Sequence, residues 1–259
     1  MKIAFFDSGI GGLSVLHHAR KILPHEDFIF YADEENVPYG TKSPEKVLKF
    51  VDNAFKFLIE REVSAIVVAC NTATSVAVKK MREKYNLPII GMEPALKLAL
   101  DTFPNRKVLV AATAITITGK KIRRLIEKLH AEHLAELKAL PKLVEFAEKQ
   151  EFNSSEVEKY LRGELNYDFE NFSSLVLGCT HFNYFKDTFR KILPPHVKIL
   201  DGNAGTVNEL IRRTNLKSKS NSAQGSVKIF YSGRLVTASE EISRLEGFLR
   251  RLDNMITIN

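Results

Sequence analysis

The chain reads as an alternation of two patterns. Short apolar runs rich in β-branched residues, such as Ile3-Ala4-Phe5-Phe6, Ala65-Ile66-Val67-Val68-Ala69, Val108-Leu109-Val110-Ala111 and Leu175-Val176-Leu177, are separated by longer amphipathic stretches. Runs of that length read as strands buried on both faces, as in parallel sheets. Strands alternating with helices predict an α/β fold with helices on both faces of each sheet. The order of signals also repeats. Lys2–Gly9 is echoed at Lys107–Ala114, Cys70 at Cys179, and Pro88–Gly91 at Val197–Asp201. Three landmarks in one order at nearly one spacing predict a duplicated unit. The expected fold is two similar doubly wound, mostly parallel-sheet domains related by a pseudo-twofold, with the active site in the cleft between them. Their expected extents are 1–95 with 208–259 for the first and 96–207 for the second. The tail from Ser226 is expected to rejoin the first half, and the polar stretch Lys217–Gly225 to form an exposed loop.

With 259 residues, 44% hydrophobic and 27% charged, the chain has room for two domains and the balance of a globular protein. No apolar run approaches the roughly 18 residues that a membrane span needs. Asp7 interrupts the first apolar run after Phe6, which excludes a secretory signal. Two cysteines far apart in a chain without an export signal predict a cytoplasmic protein with free thiols. Because the first strand starts almost at the first residue, no N-terminal regulatory extension is expected. The net charge of +7 raises the question of nucleic acid, but basic residues are scattered beside acidic ones, and Arg212–Lys219 has no interleaved aromatics to stack bases. No nucleic-acid partner and no membrane partner are expected; an excess of positive charge suits an anionic small molecule.

Chemistry concentrates at the ends of the predicted strands, where open α/β sheets bind ligands. Cys70 and Cys179 each follow a strand and precede hydrogen-bonding residues, Asn71-Thr72 and Thr180-His181. Two thiols in matched positions can take a proton from one face of a substrate and return one to the other. His181 stands close enough in sequence to assist Cys179. Asp7-Ser8-Gly9-Ile10-Gly11-Gly12 joins the first strand to a helix; its glycines allow close approach to the backbone, and helix-start amides favour anions. It fits neither the dinucleotide fingerprint nor a phosphate-binding loop. Pro38-Tyr39-Gly40-Thr41 reads as a turn, and Glu93-Pro94-Ala95 as a loop that starts a helix at Pro94. Without a Cys-x-x-Cys pair or a dense histidine cluster, no metal site is expected. On these residues alone, a switchable dithiol and an inactive binding protein remain alternatives to catalysis.

Taken together, five stretches resemble the glutamate racemases of the aspartate/glutamate racemase superfamily: Phe6–Val15, Val37–Gly40, Ala69–Thr74, Gly91–Ala95 and Leu177–His181. They occur in the family's order and span most of the chain. The resemblance implies cofactor-independent interconversion of L- and D-glutamate, with Cys70 and Cys179 as the two acid/base residues. It assigns Cys70 to the D-enantiomer and Cys179 to the L-enantiomer. Asp7 is implied as helper to Cys70, with Glu148 and His181 as helpers to Cys179. Substrate contacts are implied from Asp7, Ser8, Tyr39, Gly40, Asn71, Thr72, Thr180 and His181. The match at Leu140–Glu148 is looser, with Leu140 where the family often has Cys. Phe182-Asn183-Tyr184-Phe185 departs from the family's usual aromatic-proline-leucine start of the next helix. The product would be D-glutamate for peptidoglycan, and a homodimer is an assembly the family often uses. An aspartate racemase of the same superfamily is the nearest alternative.

Overall fold

The computed structural model describes residues 1–92, 95–216 and 223–258. Among the described residues, ten strands form two sheets: β1 (Lys2–Asp7), β2 (Asp27–Ala32), β3 (Ala65–Val68), β4 (Ile89–Gly91), β5 (Lys107–Ala112), β6 (Ala135–Ala139), β7 (Phe172–Gly178), β8 (Lys198–Asp201), β9 (Val227–Tyr231) and β10 (Arg234–Leu235). The first sheet has the order β10-β9-β2-β1-β3-β4, the second β6-β5-β7-β8. All pairings are parallel except the short β9–β10 edge. The core of the first sheet, β2-β1-β3-β4, is therefore matched strand for strand by the second, which accounts for the echo in the sequence. The tail strand β9 pairs with β2 and extends the first sheet.

Local chemistry explains the elements. β1, β3 and β7 are buried almost throughout, as unbroken apolar runs require. The helix Pro44–Ile59 begins with Pro44 in its first turn behind the Ser43 cap, and buries Val47, Val51, Ala54, Phe55 and Leu58 along one stripe. The helix after each fourth strand crosses to the other sheet. Leu96–Thr102, after β4, packs on β5 and β7, while Asn203–Thr214, after β8, packs on β3, β4 and the helix Leu13–Ile22. The return crossing thus comes at Gly202, and residue 207 lies inside a helix already committed to the first sheet. The largest core cluster runs through both halves, with Ile10 and Leu13 from one and Val144, Phe182 and Tyr184 from the other.

The Phe182–Phe185 stretch forms a wholly buried 3-10 turn within Thr180–Phe185. Tyr184 stacks on Phe152 at 5.4 Å and meets Phe248 of the last helix, Ser239–Asp253, at the same distance. Glu93-Pro94 and most of the expected loop, residues 217–222, lie outside the described residues.

Candidate active site

In the matched four-strand core of each sheet the two inner strands end side by side. β1 and β3 run in register to Phe6 and Val68, which sets Asp7-Ser8 next to Cys70; β5 and β7 run to Ala112 and Gly178, which sets Thr113 next to Cys179. Both sets of strand ends face one small cavity, with room for about one water molecule. Its walls include Ser8, Tyr39, Gly40, Cys70, Asn71 and Thr72 from the first half, and Cys179, Thr180 and His181 from the second. Asp7 and Glu148 stand one shell behind, Asp7 under Ser8 and Glu148 under His181. Thr113 and Val144 also line the cavity and were not anticipated. The repeat held a signal for Thr113, since the echo of Lys2–Gly9 makes it the counterpart of Ser8.

Cys70 is buried and caps the helix Asn71–Lys84, its Sγ accepting the Ala73 amide at 3.4 Å. The Ser8 hydroxyl bridges it to Asp7, 3.6 Å from the sulfur and 3.1 Å from Asp7 Oδ1. Burial, then the Asp7 charge, push the Cys70 thiol up, so it rests protonated in the closed cavity. Burial also pushes Asp7 up to about 6, although the His181 charge and hydrogen bonds from Gly9, Thr180 and Ser8 oppose this. Asp7 ties the two halves together, accepting the Thr180 hydroxyl at 2.9 Å.

The other wall is organised differently. Cys179 Sγ lies 3.8 Å from His181 Nδ1, and His181 Nε2 lies 2.6 Å from Glu148 Oε1. Burial disfavours charge on His181, but its bonds to Cys179 and Glu148 prevail and hold the imidazole well above its ordinary range. Burial would likewise raise Glu148; the His181 bond and charge, the Ile10 amide and Arg244 together hold it below the usual carboxylate range. His181 and Glu148 therefore form an imidazolium–carboxylate pair beneath the Cys179 sulfur. The Ile10 peptide unit, from the first half, is gripped on both sides. Its N–H donates to Glu148 Oε1 at 3.0 Å and its carbonyl accepts the Tyr184 hydroxyl at 3.0 Å.

The glycines of the first loop make this closure possible. A Cβ on Gly11 would stand 2.7 Å from the His181 amide nitrogen and from Thr180 Oγ1, and one on Gly9 would strike Glu148. The space they leave is filled by the opposite wall, where the sequence reading anticipated ligand. Thr72, Thr113 and Thr116 link hydroxyls across the halves, Thr72 to Thr113 at 2.9 Å and Thr113 to Thr116 at 2.9 Å. The Tyr39 hydroxyl is committed to Asp33 at 2.5 Å, so Tyr39 offers the cavity its ring. Asn71 Oδ1 is buried without a hydrogen-bond partner among the described residues, leaving an acceptor at the cavity. No cluster suited to a metal ion and no helix long and apolar enough to cross a membrane occurs among the described residues.

Fold and site define a class of protein: two like α/β halves closed on a small cavity that carries one thiol on each wall. The sequence pattern of the Asp/Glu/Hydantoin racemases matches residues 14–210. The chain is 49% identical to a glutamate racemase of Campylobacter curvus and 51% identical to one of Campylobacter concisus, covering all of each chain in both cases. The structure of a glutamate racemase from Francisella tularensis in complex with D-glutamate matches with a TM-score of 0.80 at 30% identity, covering 96% of this chain and 93% of that one. The chain belongs to the Asp/Glu/Hydantoin racemase family and, within it, to the glutamate racemases.

Proposed function

We propose that the chain interconverts L- and D-glutamate by proton transfer between Cys70 and Cys179, without a cofactor. The observation that carries the mechanism is the pair of thiols on opposite halves of one cavity, each at the carboxyl end of an inner strand. One sulfur, as thiolate, removes the α-proton and becomes a thiol. The other, as thiol, delivers its proton to the opposite face and becomes the thiolate, which leaves the enzyme ready for the reverse reaction. As in the family, Cys70 is assigned to D-glutamate and Cys179 to L-glutamate.

Each wall manages its proton in its own way. For Cys70 the path runs through the Ser8 hydroxyl to Asp7. For Cys179 it runs to His181, whose charge Glu148 balances. Substrate carboxylate is held by the Thr72 hydroxyl and amides at the start of the helix Asn71–Lys84, while Asn71 Oδ1 accepts from the substrate ammonium. Ser8 and Thr180, whose hydroxyls donate to Asp7, line the same space. Fixed donors of this kind stabilise charge as the α-carbon becomes carbanion-like. Tyr39 and Gly40 shape the wall, and the two halves, with the return crossing at Gly202 rather than after residue 207, part to admit substrate. The D-glutamate formed serves peptidoglycan, in a cytoplasm that keeps both thiols reduced, and the assembly proposed is a homodimer.

The test is incubation of the purified chain with L-glutamate in D₂O, without added cofactor, followed by chiral separation and mass analysis. D-glutamate carrying one deuterium supports the reading. Absence of exchange into either glutamate enantiomer overturns it, and exchange only in a parallel incubation with L-aspartate reassigns the substrate.

A further inference from the structure

We propose that Arg244, on the last helix, is a positioning residue that holds Glu148 against His181 and so completes the proton path of the Cys179 wall. The inference rests on the assignment of His181 and Glu148 to Cys179.

The junction between the last helix and Glu148 is built from several contacts. Arg244 Nη2 donates to the Glu148 carbonyl at 2.8 Å, closing the end of the helix Lys142–Glu148, and lies 3.6 Å from Glu148 Oε2. Gln150 returns a bond to the Arg244 carbonyl at 3.1 Å. The guanidinium also sits over the Phe248 ring at 5.3 Å. Its second carboxylate partner is Glu34, with Nη1 3.7 Å from Glu34 Oε2.

Two carboxylates thus share one guanidinium in a largely enclosed place. Glu148 Oε2 and Glu34 Oε1 are buried and have no hydrogen-bond partner among the described residues. Glu148 spends its other oxygen on His181 and the Ile10 amide. Burial, then the Glu148 charge, push Glu34 up to about 7, with Arg244 and His181 opposing. The remaining titratable groups that act on this cluster are Asp7, Tyr184, Tyr231 and Glu241. Like charges at one site cannot both stay ionised unless a cation divides itself between them. With Arg244 present, Glu148 stays anionic and Glu34 takes the proton as pH falls. Without it, Glu148 competes with Glu34 for protons and loses its hold on the imidazolium. Arg244 is one-third exposed, at 32%, so solvent moderates its charge, and an intermediate effect follows rather than an all-or-none one.

The experiment measures racemisation in both directions against pH for wild type, R244Q, R244K, E34Q and E34Q/R244Q, with Tm recorded for each. R244Q should lower kcat/KM about tenfold, the effect of displacing the proton path by about one pKa unit. The loss must be equal in the two directions, because the enantiomers have equal free energy in water, while kcat and KM change unequally between them. The acidic limb of kcat/KM should move to higher pH in R244Q, and return part of the way in both E34Q/R244Q and R244K. E34Q alone, which keeps Arg244, should leave that limb in place, because Glu34 is already protonated where Glu148 titrates. R244K, which keeps the charge but not the paired contacts, serves as the test if R244Q does not fold, and an unmoved limb in R244K then overturns the inference. A wild-type profile in R244Q, or a loss that E34Q does not relieve, overturns the inference alone. An inactive wild-type protein overturns the proposed function, and this inference with it.

Discussion

Replacing Asp7 by Asn should make the protein more stable and less active, with the stability gain appearing only as pH rises. Asp7 is fully buried, and its carboxyl titrates at about 6 in place of the ordinary 3.8. A carboxyl raised in this way binds its proton more tightly folded than unfolded. Between pH 3.8 and 6 the folded chain therefore holds more protons, and stability falls as pH rises through that window. The gap of 6 − 3.8 = 2.2, at about 1.4 kcal/mol for each pH unit, gives a cost of about 3 kcal/mol at neutral pH. Asn removes that cost and keeps the shape. Its oxygen still accepts from the Gly9 amide and the Ser8 hydroxyl, and its amide can donate to Thr180 Oγ1. The assay is thermal unfolding of wild type and D7N side by side from about pH 4 to pH 7.5, so that titrations common to both cancel. At about 2–4 °C per kcal/mol for chains a little shorter than this one, the Tm advantage of D7N should grow by roughly 6–12 °C between those limits. Racemisation should drop sharply, because the Ser8–Asp7 path loses its charge. A Tm difference that stays constant over the whole range refutes the reasoning.

Other expectations follow from the same geometry. Gly11→Ala places a methyl group against the Thr180–His181 wall and should lower kcat/KM by about a hundredfold, the loss that a displacement of about 1 Å can cause, and lower stability by about 1–3 kcal/mol; wild-type kinetics would contradict this. Glu148→Gln removes the anion beneath His181, so an NMR titration should find the imidazole pKa lowered and activity reduced, and an unmoved titration would dissociate the pair. Phe248→Ala empties a fully buried site between Phe152 and Tyr184, and should cost about 3–5 kcal/mol by denaturant unfolding; a change below about 1 kcal/mol would show that the aromatic cluster does not brace the last helix.

The parallel sheets were legible because strands buried on both faces leave unbroken β-branched runs, and the duplication because those runs recur in order. Cys70 and Cys179 were legible for the same reason: a polar triplet after such a run sits at a strand end. What could not be read depends on contacts between distant segments. Glu34 and Arg244 look like ordinary charged positions of a loop and of an amphipathic helix, and they gain meaning only when the tail returns across the first sheet to reach Glu148. Gly9 and Gly11 were recognised as places of close approach, but the group approaching is the opposite wall, which a local motif does not name. The crossing at Gly202 leaves no shift in composition, because the helix that follows is amphipathic like its neighbours.

The two walls differ in a way that bears on how the halves close. Each of the two helper carboxylates of the proposed mechanism takes a hydrogen bond from the other half. Asp7 of the first half accepts from Thr180 of the second, and Glu148 of the second accepts from the Ile10 amide of the first. The Tyr184 hydroxyl then holds the Ile10 carbonyl, so the Glu148 contact and the packing of the Phe182–Phe185 turn are made or broken together. The closed cavity has space for little more than a water molecule, so on the proposed mechanism the halves must part to admit glutamate. Parting that breaks these bonds also weakens both proton paths: Asp7 loses a donor, and Glu148, held anionic chiefly by His181, loses the added support of the Ile10 amide. On the proposed mechanism, closure and catalytic assembly are therefore one event. An open enzyme would be a poor base toward anything but the ligand able to draw its walls together.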